Sequence, residues 1–205
     1  MIPSLKTISG EATLDERPIP DRVLASAVRL FTKKGYFNTT MPDLSRDAGV
    51  SIGAIYHHFK DKEDVARTLY NNSIEIMDNI FNQIEITNSM AEDRCKNIIM
   101  ILLKLAEDEP DTMQYMMYVK HEEFSGGSLT ICSAKPFLRM RHMVAEGIKN
   151  GEIRKMETIV ATSTIFGPTM RMMVHRFDGL LSRPLPTYYS ELWDAAWKAV
   201  RPEAT

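Results

Sequence analysis

Cysteine is nearly absent from this 205-residue chain. Cys95 and Cys132 match neither a disulfide framework nor a metal spacing such as C-x-x-C, and both are expected to be packed, reduced thiols. Long apolar runs are missing as well. No window approaches the roughly 20 consecutive apolar residues that a bilayer-spanning helix needs, and no basic stretch leads into a long apolar run at the N-terminus. A cytoplasmic location is expected. Excess positive charge is lacking: 25 Lys and Arg stand against 27 Asp and Glu, a formal net charge of -2. Bulk attraction to nucleic acid is thereby excluded, so any DNA affinity must come from a local arrangement of donors. Catalytic signatures are missing too, with no G-x-S-x-G, no P-loop, no H-E-x-x-H and no glycine-rich phosphate cradle. The chain is therefore expected not to be an enzyme and to carry no cofactor.

What is present is an ordinary globular balance, 44% hydrophobic and 25% charged, enough to bury a core. Residues 1–20 mix Ser, Gly, Glu, Thr and Pro without apolar periodicity and read as a disordered arm. Beyond them no strand-like alternation competes with helical periodicity, and no internal repeat occurs. The predicted fold class is all-α: a three-helix helix-turn-helix domain over 21–66, followed by a larger helical domain over 67–205, to which the family resemblance described below assigns DNA binding, and ligand binding and dimerisation, respectively. Asp21 is the expected cap of a first helix carrying Val23, Ala27, Leu30 and Phe31, with Gly35 as its stop. Thr40 with Asp43 three residues on resembles a capping box, predicting a second helix from Met41 or Pro42 to about Ala48. Gly49 breaks it, and Ser51 caps a third helix to about Phe59. From Lys62 a long helix is predicted, with later helices over about 91–106, 112–122, 135–150, 157–176 and 188–200.

The third helix carries the functional signal. Its sequence is Ser51-Ile52-Gly53-Ala54-Ile55-Tyr56-His57-His58-Phe59, and the four-residue spacing of Ile55 and Phe59 turns both toward the core. The face left outside is small at its start and aromatic or hydrogen-bonding at its end. Small residues permit close approach to base edges and thymine methyls, and Tyr and His can reach phosphate oxygens. Lys62 adds a charge where the free N–H groups of the next helix also favour phosphate. Each residue alone has a plainer role as packing or solvated surface. Together, behind a capped helix and a glycine turn, they do not resemble a solvated face, which is normally rich in Glu and Lys.

The segment Thr39-Thr40-Met41-Pro42-Asp43-Leu44 followed by Gly49-Val50-Ser51-Ile52-Gly53-Ala54-Ile55-Tyr56-His57-His58-Phe59-Lys60-Asp61-Lys62-Glu63 resembles the TetR family of bacterial regulators, over about residues 22–69. The resemblance implies a homodimer, usually a repressor, that binds a palindromic operator and is released by a small-molecule effector held in the C-terminal domain. It implies DNA contact through Thr40, Ser51, Ile52, Gly53, Ala54, Tyr56, His57, His58 and Lys62. Thr40 matches the capping position against the DNA backbone, Tyr56 and Lys62 match phosphate-binding positions, and Gly53, Ala54 and His57 lie near bases. His58 supports the helix as much as the DNA. Many members place a Lys where Ile52 stands, so one electrostatic contact is missing here.

On the effector side, Met113, Met116, Met117, Tyr118, His121, Phe166 and Met170 are the candidate lining of a pocket for an apolar or aromatic ligand, because methionine adapts to irregular cavities. Methionine is equally an ordinary filler of helical cores. His121, Glu122 and Glu123 are adjacent and point apart on a helix, with His142 and His175 unplaced relative to them, so no metal site is expected. The helices over 157–176 and 188–200, with Phe166, Leu192, Trp193 and Trp197, are expected to supply the face that pairs across a twofold axis in TetR-like dimers, with packing within one chain as the alternative, because a single reading helix covers too few base pairs to be specific. Gly167 beside Pro168 should kink the first of them or allow close approach. A helical protein-interaction module without DNA affinity, or an enzyme, are the competing functions.

Overall fold

The computed structural model describes residues 17–118 and 134–203, and nine α-helices with one short 3-10 helix make up their secondary structure. The α-helices are α1 (Ile19–Lys34), α2 (Met41–Ala48), α3 (Ile52–His58), α4 (Lys62–Thr87), α5 (Ala91–Asp108), α6 (Pro110–Tyr118), α7 (Lys135–Lys149), α8 (Thr158–Phe177) and α9 (Tyr189–Val200); the 3-10 helix spans Leu185–Tyr188. The described residues are all-helical, as expected. It divides into two compact units, Met1–Ile76 with Asp111–Ala134, and Met77–Pro110 with Lys135–Thr205. No helix among the described residues is long and apolar enough to cross a membrane.

The first unit is built around one apolar cluster in which Val23, Leu24, Ala27 and Phe31 of α1 meet Leu44, Ile55, Phe59, Val65 and Leu69. Helix α1 starts two residues before the expected cap: Pro18 occupies the N-cap position and makes no side-chain cap. Pro20 lies in the first turn, where its missing N–H costs nothing and its fixed φ is already helical. Asp21 therefore stands inside the helix, where its charge faces the positive end of the dipole. Gly35 ends α1 at φ 84°.

Residues 111–118 join this first unit, although the sequence places them with the C-terminal domain. The reason is Tyr115. Its ring stacks on Phe31 at 6.2 Å, and its hydroxyl, inside a fully buried side chain, donates to the Ala66 carbonyl at 3.0 Å. Thr32 adds a bond from its hydroxyl to the Asp111 carbonyl, 3.1 Å. Burial pushes the Tyr115 phenol far up, so it stays a neutral donor.

In the second unit, Ile98, Ile99, Leu102 and Leu103 of α5, Met140, Met143 and Val144 of α7, Ile165, Phe166 and Met173 of α8, and Trp193 and Trp197 of α9 are buried. Trp193 and Trp197 stack at 5.0 Å. Phe166 and both tryptophans are thus taken up inside the single chain. Helix α8 continues through Pro168, and a Cβ built on Gly167 meets nothing within 4 Å. Two polar ties close the unit. The Glu152 carboxylate accepts from the Ala91 and Glu92 N–H groups, 2.6 and 3.3 Å, capping α5 from 61 residues away. Arg176 pairs with Glu107, whose other oxygen accepts from the Leu185 N–H at 3.0 Å.

Cys95 is fully buried in this unit, and burial pushes its thiol up to about 12. At pH 8 only about one part in ten thousand is the reactive thiolate. With Cys132 replaced by Ser, the native chain is expected to resist maleimide at pH 8, and the denatured chain to take up one equivalent. Fast labelling of the native chain would contradict this packing.

Candidate nucleic-acid interface

Three local devices set the angle between α2 and α3. The first is a capping box: the Asp43 N–H donates to the Thr40 hydroxyl at 3.3 Å, while the Asp43 carboxylate accepts from the Thr40 N–H and hydroxyl at 3.0 and 2.7 Å. These bonds hold the Asp43 carboxyl below its usual range, helped by Lys34 and Arg46. The box is therefore complete at neutral pH and is lost as pH falls through that lowered pKa. The second device is Gly49, left-handed at φ 64° and ψ 36°. Its following residue is fastened by the Ser45 hydroxyl, which donates to the Val50 carbonyl at 2.6 Å. The third is Arg22 of α1, whose Nε donates to the Ala48 carbonyl at 3.1 Å and whose terminal nitrogen donates to the Gly49 carbonyl at 2.9 Å. One guanidinium thus holds the carbonyls at the end of α2.

The same region carries a further anchor at Asp47, which accepts from the Ser26 hydroxyl and the Arg29 guanidinium, each at 2.6 Å. Burial raises its pKa, but the bonds from Ser26 and Arg29 outweigh that and leave it below the usual range. Charge at this site is spent on fixing α2 against α1.

Helix α3 begins at the Ser51 cap, whose hydroxyl accepts from the Ala54 N–H at 3.1 Å. Ile55 is completely buried and Phe59 nearly so, so the helix is pinned by one apolar edge. The opposite side is open: Ser51, Ile52, Gly53, Tyr56, His57 and His58 are exposed, and Ala54 is half-buried. Ile52 and Tyr56, 41% and 52% exposed, stand one turn apart on one face. A solvated face does not place an isoleucine and a tyrosine there. The His57 and His58 rings meet edge to face at 5.1 Å. No acidic residue lies in α3, so the overall charge of -2 is not expressed where a phosphate backbone would lie.

Two expected contact residues also have partners within the chain. The Thr40 hydroxyl and N–H both donate to Asp43, so Thr40 shapes the entry to α2. The Lys62 ammonium donates to the Tyr36 carbonyl at 2.7 Å and sits 4.2 Å above the Tyr36 ring. Burial lowers its pKa. Lys62→Ala is accordingly expected to lower stability by about 1 kcal/mol through the lost charged hydrogen bond, seen as a lower urea midpoint. An unchanged midpoint would show that this bond anchors nothing. Sequence reasoning passed over Arg22, and also Arg46 and Phe37. The Arg46 side chain is 77% exposed, and Phe37 is 70% exposed. Only Phe37 carried a signal, an aromatic residue in a loop beside the Thr40 cap.

The effector candidates fall into two groups. Met113 and Met116 are buried beside Tyr115 on α6, Met117 is half-buried and Tyr118 is half-exposed. Phe166 is buried and Met170 half-buried, one turn apart on α8 of the second unit. His121, Glu122, Glu123 and Cys132 lie outside the described residues.

A capped helix, a left-handed glycine turn and a second helix held by its apolar edge with an acid-free face outward define a helix-turn-helix domain of the DNA-binding class. Residues 23–69 match the family described as bacterial regulatory proteins, tetR family. That match covers the helix-turn-helix domain, and over those residues the chain resembles the tetR family. It is 33% identical over 61 residues to the biofilm operon icaADBC HTH-type negative transcriptional regulator IcaR of Staphylococcus epidermidis, covering 30% of this chain and 31% of that one. The chain spans less than a third of the length of the first three curated relatives it matches. The fold resembles a TetR family transcription regulator from Marinobacter aquaeolei at 16% identity, covering 90% and 96% of the two chains with a TM-score of 0.73. It also resembles the regulator FadR of Bacillus subtilis, solved in complex with stearoyl-CoA, at 19% identity over 88% and 98% with a TM-score of 0.68.

Proposed function

We propose that the protein is a cytoplasmic, ligand-responsive transcriptional repressor that binds a palindromic operator as a homodimer. The observation that carries this reading is the exposed, acid-free face of α3, in which Ile52, Gly53, Tyr56 and His57 stand outward from a helix pinned by Ile55 and Phe59. In this reading α3 lies in the major groove. Gly53 and Ala54 allow the backbone close to the bases, Ile52 packs on a thymine methyl, and His57 bonds a base edge. Tyr56 and the Ser51 hydroxyl reach phosphate oxygens, His58 supports the helix, and Thr40 and Lys62 hold the loop before α2 in place. No catalytic role is assigned to any residue.

Dimerisation is supported by the need for two reading helices to cover a specific site, which a twofold axis provides. It is supported also by the exposed apolar side chains Ile159 and Val160 on α8, 57% and 50% exposed, and Leu180 at 67%. The effector class in this reading is apolar, as supported by a structural relative solved in complex with stearoyl-CoA. A labelled genomic duplex from upstream of the protein's own gene, titrated with protein, tests this reading by anisotropy. Binding that weakens steeply with salt is expected, and addition of a long-chain acyl-CoA is expected to reverse it. Absence of salt-dependent binding would favour a protein-interaction module, and binding indifferent to apolar ligands would remove the effector assignment.

A further inference from the structure

We propose that the second unit holds a site for a divalent transition-metal ion formed by Glu85, His142 and Glu146. His142 and Glu146 are four residues apart on α7, the spacing that puts two side chains on one helical face, and Glu85 comes from α4. One donor atom from each residue lies within 4.8 Å of the other two. The His142 Nε2 stands 3.7 Å from one Glu146 oxygen. Ligands at roughly 2.0–2.2 Å from a zinc-like ion imply donor separations of about 3–3.5 Å. Closing the difference takes a side-chain adjustment that His142, 66% exposed, makes without disturbing the core.

The surroundings are those of held ligands. Arg94 bonds the other Glu146 oxygen at 2.7 Å, and Arg139 bonds one Glu85 oxygen at 2.5 Å while also bridging to Asp78 at 2.9 Å. Each glutamate therefore gives one oxygen to an arginine, which orients the carboxylate. The arginines also offset part of the negative charge, which disfavours retention of a bare cation by charge alone and leaves the choice to ligand chemistry. One imidazole with two carboxylates suits zinc, nickel or ferrous ions better than magnesium or calcium. Access is available. A cleft of about 310 Å³ is lined by Asp78, Glu85, Lys135, Leu138, Arg139 and His142, so an ion arriving from solvent meets His142 and Glu85 directly, with room for water at its remaining positions.

The test is a calorimetric titration of chelator-treated full-length protein with zinc chloride, repeated on His142→Ala, Glu146→Gln and a His57→Ala/His58→Ala double variant. A saturable equivalent is expected in the parent and in the double variant and is expected to be lost in His142→Ala and weakened in Glu146→Gln. His142→Ala should keep the parental melting temperature in the presence of chelator, because the side chain is exposed. With cobalt in place of zinc, visible absorption bands should form in the parent and be absent from His142→Ala. Zinc uptake that His142→Ala leaves intact, uptake abolished by the His57/His58 variant, or no saturable uptake would each overturn the proposal.

Discussion

Gly53→Leu is expected to raise the stability of the free protein and to abolish most of its DNA affinity. A Cβ at position 53 meets no atom within 4 Å, and the residue lies in the first turns of α3 without a positive φ. Leucine therefore relieves the conformational freedom of glycine without a clash, a gain of about 0.5–1 kcal/mol. On DNA the same side chain stands between the α3 backbone and the base edges. Displacing the helix from the groove forfeits at least one bidentate-class contact and its neighbours, worth about 3 kcal/mol or roughly a hundredfold in Kd. A urea titration and an anisotropy titration on the same preparation separate the two effects. Parental DNA affinity in a stabilised variant would mean that this face of α3 does not enter the groove.

Gly147→Val is expected to destabilise the second unit strongly. A Cβ at this position lies 2.7 Å from the Ala91 Cβ and 2.9 Å from the Ile153 Cδ1. Ile153 can yield by rotating its side chain, but Ala91 cannot, because its Cβ is fixed to the start of α5, which Glu152 caps. The two helices have to separate, and overpacking of this kind costs about 3 kcal/mol. The Cys95 thiol packs on the same helix and provides a second readout: with Cys132 absent, maleimide labelling under native conditions should accelerate in the variant. A urea midpoint equal to that of the parent would mean that α5 and α7 have slack at this crossing.

The features legible in the sequence are those whose chemistry closes within a few residues. The Thr40–Asp43 box, the Gly35 and Gly49 stops, the Ser51 cap and the burial of Ile55 and Phe59 all follow from spacings of one to four positions, and each is observed. The start of α1 was misplaced for a local reason: Asp21 has the chemistry of a cap, yet Pro20 suits the first turn and carries the helix back to Ile19. Long-range ties left no trace in the pattern. The Lys62 ammonium finds the carbonyl of Tyr36, 26 residues away; Arg22 holds the end of α2 at a similar separation; and Glu152 caps α5 at 61. Lys62 shows the consequence for function. Its position and charge match a phosphate contact, and only the fold shows that its first partner is a carbonyl of its own chain. Trp193 and Trp197 show the same limit for packing, since large apolar residues on a helix fit an interface or an interior equally well. Within this chain both are buried.

The central claim, that the outward face of α3 reads DNA sequence, is tested most directly by selecting bound duplexes from a random library with the purified parent and with Ala54 and His57 variants at one defined salt concentration. A palindromic consensus is expected for the parent, with half-sites about one helical turn apart, and altered bases at defined positions of each half-site for the variants. Recovery of no consensus, or of the same consensus from parent and variants, would contradict it.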